Sequence, residues 1–444
     1  MIINWFSPIP PTRSSIALDT AAVLPVLARK AKIVVWTHEA IQPSGLEQYA
    51  QLRHYDPRAM PWEEINAADA TVYHLGNHPA YHGPIWQVNR RHPGIVILHD
   101  LNMQHFFAGL VTQSVISRRE YLETMESYHP EGGRERAEAF LSGAASVDEI
   151  YEACPLTGAA IENAEGVVVH TQEGRAQLAA LTDLPVVYVP LLALPASTSS
   201  TIERKRTEET RRTDRPYRII MFGFLGLNRR LGSFLKALHQ FPQRNRFHLD
   251  VYGTMEKEES LLEMVDALQM RDSVTFHGFV SNAELDEVLG RSHLAINLRD
   301  PTMGEASACQ LRIWQHALPS LVTNIGWYAT LPENTVAFVR REAELEDILA
   351  HLRDFLAAPE HYCELGRSGR LYVQEHHTVE AYVNDLMQLV DATIESRSRQ
   401  ATRWMADRAG KAMSPWFNEK AASVLLPRLT RVLGDLFDEK ASGH

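Results

Sequence analysis

Leu-Ala-Ile-Asn-Leu-Arg-Asp-Pro-Thr-Met-Gly-Glu-Ala-Ser-Ala-Cys-Gln-Leu-Arg-Ile-Trp-Gln-His-Ala-Leu-Pro-Ser-Leu-Val-Thr, from Leu294 to Thr323, is the stretch whose reading decides the fold. An apolar run, Leu294 to Leu298, predicts a buried strand. Asp300, Pro301 and Gly304 predict a polar loop, and a helix is expected to begin near Ser307. A second apolar run around Leu321 and Val322 predicts the next strand. Strand, loop, helix, strand on this scale is the unit of a parallel sheet. In open α/β sheets ligands bind where loops leave the carboxyl ends of strands, and unpaired amides at a helix start favour anions there. Glu305 stands near that positive end as a candidate working carboxylate; the competing reading is that it only decorates the helix start.

Outward from this stretch the same alternation repeats. Toward the amino terminus, strands are predicted at Met1 to Phe6, Lys32 to Trp36, Ala70 to Leu75, Gly94 to Leu98, Gly166 to His170 and Val186 to Val189. Helices are predicted to Leu27 and at Asn102 to Leu110, Ile116 to Tyr128, Arg134 to Ser142 and Glu173 to Leu181. From Ser197 to Arg215 almost nothing is apolar, which predicts a solvated linker. A second series follows, with strands at Arg218 to Phe222, His248 to Tyr252, Ser273 to His277, Leu294 to Leu298, Ser320 to Thr323 and Val336 to Val339. Its helices include Leu231 to Gln240, Ser260 to Leu268 and Asn282 to Arg291, the last announced by Ser281 with Glu284 three residues on. Beyond Val339 only helices are predicted, near Leu345 to Leu356, Pro359 to Glu375, Val379 to Glu395 and Val424 to Phe437. The fold class is therefore α/β, with two doubly wound domains: residues 1–198, a linker at 199–216, residues 217–395, and a helical segment at 396–444 packing back on the domains.

At 444 residues the chain exceeds what one core usually serves. Its net charge of −11 argues against a general nucleic-acid binder and limits any membrane association to a peripheral one. Three cysteines, Cys154, Cys309 and Cys363, have no metal-ligand or disulfide spacing. Neither a membrane span nor a signal peptide is recognisable, so a cytoplasmic location is expected. No P-loop pattern occurs, and no three-glycine dinucleotide pattern follows the first strand.

Three further places carry candidate chemistry. Phe222 to Arg230 leaves a strand with Gly223 and Gly226 and ends in Arg229-Arg230. Glycines permit close backbone approach, and arginines present forks of donors suited to phosphate. The alternative is an ordinary strand–helix turn with exposed arginines. His99-Asp100 ends another strand, where a histidine either meets a substrate hydroxyl, shuttles a proton or merely caps the strand. Asn77-His78 has the same two readings.

With these loops in view the chain resembles family 4 of the retaining glycosyltransferases, of GT-B type, over nearly its whole length. Ser7 to Ala17 resembles the family's first loop, with Ser15 where a glycine is usual. Tyr73 to Asn77 and Leu98 to Asp100 resemble acceptor-domain segments. Gly226 with Arg229-Arg230 resembles the diphosphate turn, and Phe276 to Val280 the strand–turn beside the nucleotide base. Asp300 to Pro319 is similar to the family's pair of glutamates separated by seven residues. Counting back from Ala317-Leu318-Pro319, however, the second glutamate position falls on Arg312, and Glu305 fills the first only if one loop residue is missing.

The resemblance implies two domains facing across a cleft and transfer of a sugar from a nucleotide-diphosphate sugar to an acceptor, without cofactor or metal. It places Glu305 and His99 at the reacting centre. Donor contacts fall to Gly226, Arg229, Arg230, Ser307, Ala308, Arg312, Gly278 and Phe279, and acceptor contacts to Ser15, Asn77 and Asp100. Arg312 cannot accept from a ribose and would instead meet phosphate or a carboxylate. A nucleotide-sugar epimerase and a non-catalytic nucleotide-sugar-binding protein are the competing readings; slow hydrolysis of donor without acceptor separates an enzyme from the binding protein.

Overall fold

A computed structural model describes residues 1–42, 44–194, 215–256 and 258–413. The predicted linker, apart from Arg215 and Pro216, and the helix at Val424 to Phe437 lie outside the described residues. The first sheet has seven parallel strands in the order β3-β2-β1-β4-β5-β6-β7. These are β1 (Ile2–Phe6), β2 (Lys32–Thr37), β3 (Gln51–His54), β4 (Ala70–Leu75), β5 (Gly94–Leu98), β6 (Ala164–Val169) and β7 (Val186–Tyr188). The second has six in the order β10-β9-β8-β11-β12-β13. These are β8 (Tyr217–Leu225), β9 (Phe247–Met255), β10 (Val274–Gly278), β11 (Leu294–Asn297), β12 (Ser320–Thr323) and β13 (Ala337–Val339).

Strands β4 and β5 coincide with their predicted limits because every residue in them is buried, so the apolar run and the strand are the same object. Strand β3 was not anticipated: Gln-Leu-Arg-His is an edge strand without a buried residue, and polar edges carry no apolar run. The helix Pro79–Asn89 also went unpredicted, since Pro79, Gly83 and Pro84 read as breakers, whereas Pro79 occupies the first turn, where its missing amide costs nothing. Ser281 caps its helix as predicted, accepting from the Glu284 amide at 3.2 Å.

Each sheet is covered on both faces. In the first, Phe6, Tyr73, Phe106 and Phe107 lie in the core of one face and Trp5, Val23, Ile97 and Val168 in that of the other. In the second, Met221, Phe234 and Phe355 share one core, and Phe222, Leu289 and Ile313 the opposite one. The last described helix, Val379–Met413, inserts Tyr382, Val383, Leu386 and Val390 into the core of the first sheet. The chain thus returns from the second domain to complete the first.

Strand order reverses beside β1 and β4 in one sheet and beside β8 and β11 in the other. These switch points leave a crevice at the carboxyl ends of the strands, and the loops from β1, β4, β8 and β11 open there.

Candidate functional site

Two loops of the second domain build one wall. After β8 a short 3-10 turn, Leu227–Arg229, leads to Arg230, whose φ of +59° puts a non-glycine residue in the left-handed region before the helix Leu231–Gln240. This twist sends the two arginines apart. Arg229 turns inward and is 2 % exposed; its Nη2 donates to the Phe222 carbonyl at 3.1 Å, and its Nε is buried without a partner. Arg230 turns outward and donates to both oxygens of Glu344, at 2.9 and 2.6 Å. At Gly226 a Cβ would approach Glu256 Oε2 to 3.1 Å, so the space beside this turn is already narrow.

The loop after β11 carries the expected carboxylate and an arginine that sequence reasoning missed. Glu305 Oε2 accepts from the Met303 amide at 2.7 Å and from the Thr302 hydroxyl at 3.0 Å. Its Oε1 lies 3.0 Å from Nε of Arg299. That Nε has no aligned hydrogen bond. Both side chains are largely buried. Burial works most strongly against the charge on Arg299, but Glu305 and Tyr328 together outweigh it and hold the guanidinium's pKa above its ordinary value. Burial first, and the Arg299 charge second, lower the pKa of Arg229. The only signal for Arg299 in the sequence is a cation immediately after the apolar run, where a surface arginine looks identical.

Ser307 caps the helix Ala308–Gln315, accepting from the Gln310 amide at 3.1 Å. It belongs to a buried polar group in which Asn297 Nδ2 donates to Gln310 Oε1 at 2.9 Å and Gln310 Nε2 donates to the Ser320 hydroxyl at 2.8 Å. Ser307 is therefore occupied in fixing the helix start, with Ala308 as its first residue. Arg312 faces the helix Asn282–Arg291. It donates to Asp286 Oδ1 from Nε at 3.0 Å and from Nη2 at 2.8 Å, and to Asn282 Oδ1 and the Asn282 carbonyl at 2.8 and 2.7 Å. Its fork is spent on that neighbouring helix.

The first domain supplies the other wall. Asp100 Oδ2 accepts from the Asn77 amide at 2.8 Å, while the Asn77 side chain donates to the Asn102 carbonyl and accepts from the Phe106 amide. Asn77 thus sets the loop rather than standing free. Burial, with the Glu305 charge second, pushes the Asp100 carboxyl up to about 7. Next to it, His99 Nε2 lies 3.0 Å from His74 Nδ1. Ser15 is exposed on the first turn of the helix Ser15–Leu27, capped by Ser14.

The two walls meet. The amides of Leu101 and Asn102 both donate to the Met303 carbonyl at 3.0 Å. Gly304 (φ +76°) permits this contact: a Cβ there would lie 2.7 Å from Leu101 Cβ. On the far side, Arg13 sits 4.3 Å above the ring of Phe279, which is 55 % exposed and follows Gly278 (φ +68°). Arg229, Arg299, Glu305 and Asp100 therefore form one electrostatic group, and His99 adjoins it. Arg230 and Arg312 are held elsewhere, by Glu344 and Asp286. Among the described residues no group of three His, Cys, Asp or Glu side chains is disposed to hold a metal, and no helix is long and apolar enough to cross a membrane.

The family model described as "Glycosyl transferases group 1" matches residues 202–308. No functionally curated protein matches the sequence. Among solved structures, the chain is similar to Anabaena Alr3699/HepE in complex with UDP, at 11 % identity and a TM-score of 0.58, over 88 % of this chain and 99 % of that one. It is similar to WaaG, a glycosyltransferase involved in lipopolysaccharide biosynthesis, at 13 % identity and a TM-score of 0.57, over 88 % and 99 %. It is also similar to sucrose-phosphate synthase from Thermosynechococcus elongatus, at 15 % identity and a TM-score of 0.61, over 89 % and 100 %. At these identities the likeness establishes the fold, the two-domain GT-B architecture.

Proposed function

We propose that this protein is a retaining glycosyltransferase that moves a sugar from a nucleoside diphosphate to an acceptor. One observation carries the reading: two guanidiniums, Arg229 and Arg299, are buried close together with one carboxylate, Glu305, which pairs with Arg299; Nε of Arg229 has no partner, and Nε of Arg299 has only the unaligned Glu305 oxygen. Buried donors left open are costly unless something accepts from them. A diphosphate supplies both the missing charge and the missing acceptors, and the amino terminus of the helix Ala308–Gln315 adds a favourable field beside it. The match of the glycosyltransferase model to residues 202–308, which contain both arginines, and the UDP complex of the HepE structure support the same reading.

In the reaction the bond between the anomeric carbon and the diphosphate oxygen breaks, and the acceptor oxygen bonds to that carbon on the same face. The acceptor's proton passes to the departing phosphate. Negative charge grows on that phosphate, and Arg229 and Arg299 are already in place to stabilise it, which is the largest lever available to such a site. Glu305 holds Arg299 and folds the loop by its bonds to Met303 and Thr302. Asp100 and His99 face the sugar from the other domain, and the Leu101–Met303 contact excludes water between the walls.

Calorimetry with UDP, GDP and ADP tests the reading. One nucleotide binds, and Arg299→Met weakens it by roughly tenfold or more, the loss expected for a charge-assisted hydrogen bond. The matching nucleotide sugar is slowly hydrolysed without acceptor, which also separates an enzyme from a binding protein. Equal binding by parent and Arg299→Met removes the diphosphate from this site.

A further inference from the structure

Four imidazoles gather at the carboxyl edge of the first sheet: His74 in β4, His82 in the helix Pro79–Asn89, His99 after β5 and His170 after β6. Two are settled by carbonyl partners. His82 Nδ1 donates to the His74 carbonyl and His170 Nδ1 to the Val189 carbonyl, both at 2.9 Å, so each carries its proton on Nδ1. The remaining pair, His74 Nδ1 and His99 Nε2, are 3.0 Å apart, and one of them must donate.

The surroundings of His74 decide which. His74 is 1 % exposed and its Nε2 is buried without a hydrogen-bond partner. If His99 Nε2 were the donor, His74 would accept on Nδ1 and carry its own proton on Nε2. That would leave an N–H bare in the core, and orphaned buried N–H groups are rarer than under-satisfied acceptors. The Trp5 ring, 4.7 Å from His74 and tilted by 54°, offers only a π face, a second-order partner. The opposite arrangement leaves His74 Nε2 as a bare lone pair, as His170 Nε2 already is. Protonating either ring fully is opposed by burial first and by the neighbouring imidazoles second, which hold both well below the ordinary histidine range.

We infer that His74 is a positioning residue: its Nδ1–H occupies the lone pair of His99 Nε2, and His99 therefore presents Nδ1–H to the cleft as a hydrogen-bond donor and does not serve as a base. His99 Nδ1 makes no hydrogen bond among the described residues, and the His170 ring packs against the imidazole with centroids 5.0 Å apart. The recipient, on the glycosyltransferase reading on which this inference rests, is a hydroxyl oxygen of the transferred sugar. A sequence with histidine in three consecutive strand ends thus uses two of them, His74 and His170, to prepare the third.

The experiment reads the tautomer directly, by long-range proton–nitrogen correlation on histidine-labelled protein without ligand, with His99 assigned by its loss in His99→Gln. The expected result is a proton on Nδ1 of His99 in the parent and in His74→Asn, whose amide replaces the Nδ1–H donor. In His74→Leu the donor is gone and Nε2–H becomes populated. The kcat of donor hydrolysis falls about three- to tenfold in His74→Leu, the value of one neutral hydrogen bond, and recovers in His74→Asn. A proton on Nε2 of His99 in the parent overturns the inference, as does a His74→Leu variant with parental tautomer and kcat. If the tautomer is Nδ1–H and no nucleotide sugar is turned over, the glycosyl-transfer reading fails and the His74–His99 assignment stands.

Discussion

Adjacent arginines with identical side chains have opposite fates here. Arg229 is buried with an open Nε, whereas Arg230 is bound to both oxygens of Glu344. The sequence pair Arg-Arg reads as one clamp; the left-handed φ of Arg230 splits it, and nothing in residue order announces that twist. The two substitutions should therefore separate stability from binding. Arg229→Met removes a buried, incompletely partnered charge and fills similar volume. Burial first, and the neighbouring Arg299 charge second, oppose this guanidinium, so its removal relieves a desolvation cost. We expect an unchanged or raised melting temperature without ligand, together with at least roughly tenfold weaker nucleotide binding. Arg230→Ala breaks a partly exposed pair, worth on the order of 1 kcal/mol or less, and should leave nucleotide affinity near parental. Calorimetry and thermal melting of both variants check this; weaker binding in Arg230→Ala alone would reverse the assignment. Arg299 and His74 were illegible as site residues for a related reason. Each sits in or directly after an apolar run, and its importance comes from what the opposite loop or strand places beside it.

Elements were legible where burial is complete and obscure where it is not. Strands β4, β5 and β12 are buried throughout and stand at their predicted limits; β3 is polar and was missed. The helix Ser15–Leu27 was legible as well, but it hides a polar residue on its buried face. Asp19 is 6 % exposed, and burial pushes its carboxyl up to about 8 from 3.8. A raised folded-state pKa means that the native state binds the proton more tightly than the unfolded chain. The resulting stabilisation is complete below about pH 4 and is lost as pH rises through about 8. Asp100, raised to about 7, acts in the same direction. Asp19→Asn cannot ionise, so its stability relative to the parent should rise between pH 5 and pH 8, by at most roughly 1.4 kcal/mol per pH unit. Urea denaturation of both proteins at the two pH values measures it, and parallel curves would show that Asp19 is ionised in the folded protein at both.

At the scale of the molecule, the loops around the cleft bridge the domains through the Leu101 and Asn102 amides on Met303 and through Arg13 over Phe279. Two doubly wound sheets were legible from the repeated strand–helix alternation, but not this closure, because it joins residues about two hundred positions apart through backbone atoms that any side chain would offer. Gly304 is its most sensitive point. Gly304→Ala strains a φ of +76° and drives a methyl toward Leu101. We expect a loss of at least about 1 kcal/mol of stability, a larger radius of gyration in solution scattering and a raised donor KM. Adding Leu101→Ala makes room for the methyl, so compactness and KM should recover in part, giving a coupling of roughly 0.5–3 kcal/mol between the two sites. Strictly additive effects would mean that the strain is local and the domains remain closed.

The helix Val379–Met413 has a consequence for biogenesis. Tyr382, Val383, Leu386 and Val390 cover the face of the first sheet that holds Trp5, Ile97 and Val168. The last strand of that sheet ends at Tyr188, so the ribosome must make nearly two hundred more residues before the cover exists. At about 5–20 residues per second this delay is on the order of 10–40 s. For that interval the nascent first domain displays apolar surface that its own residues cannot hide, and that is the period when a ribosome-associated chaperone has the most to hold.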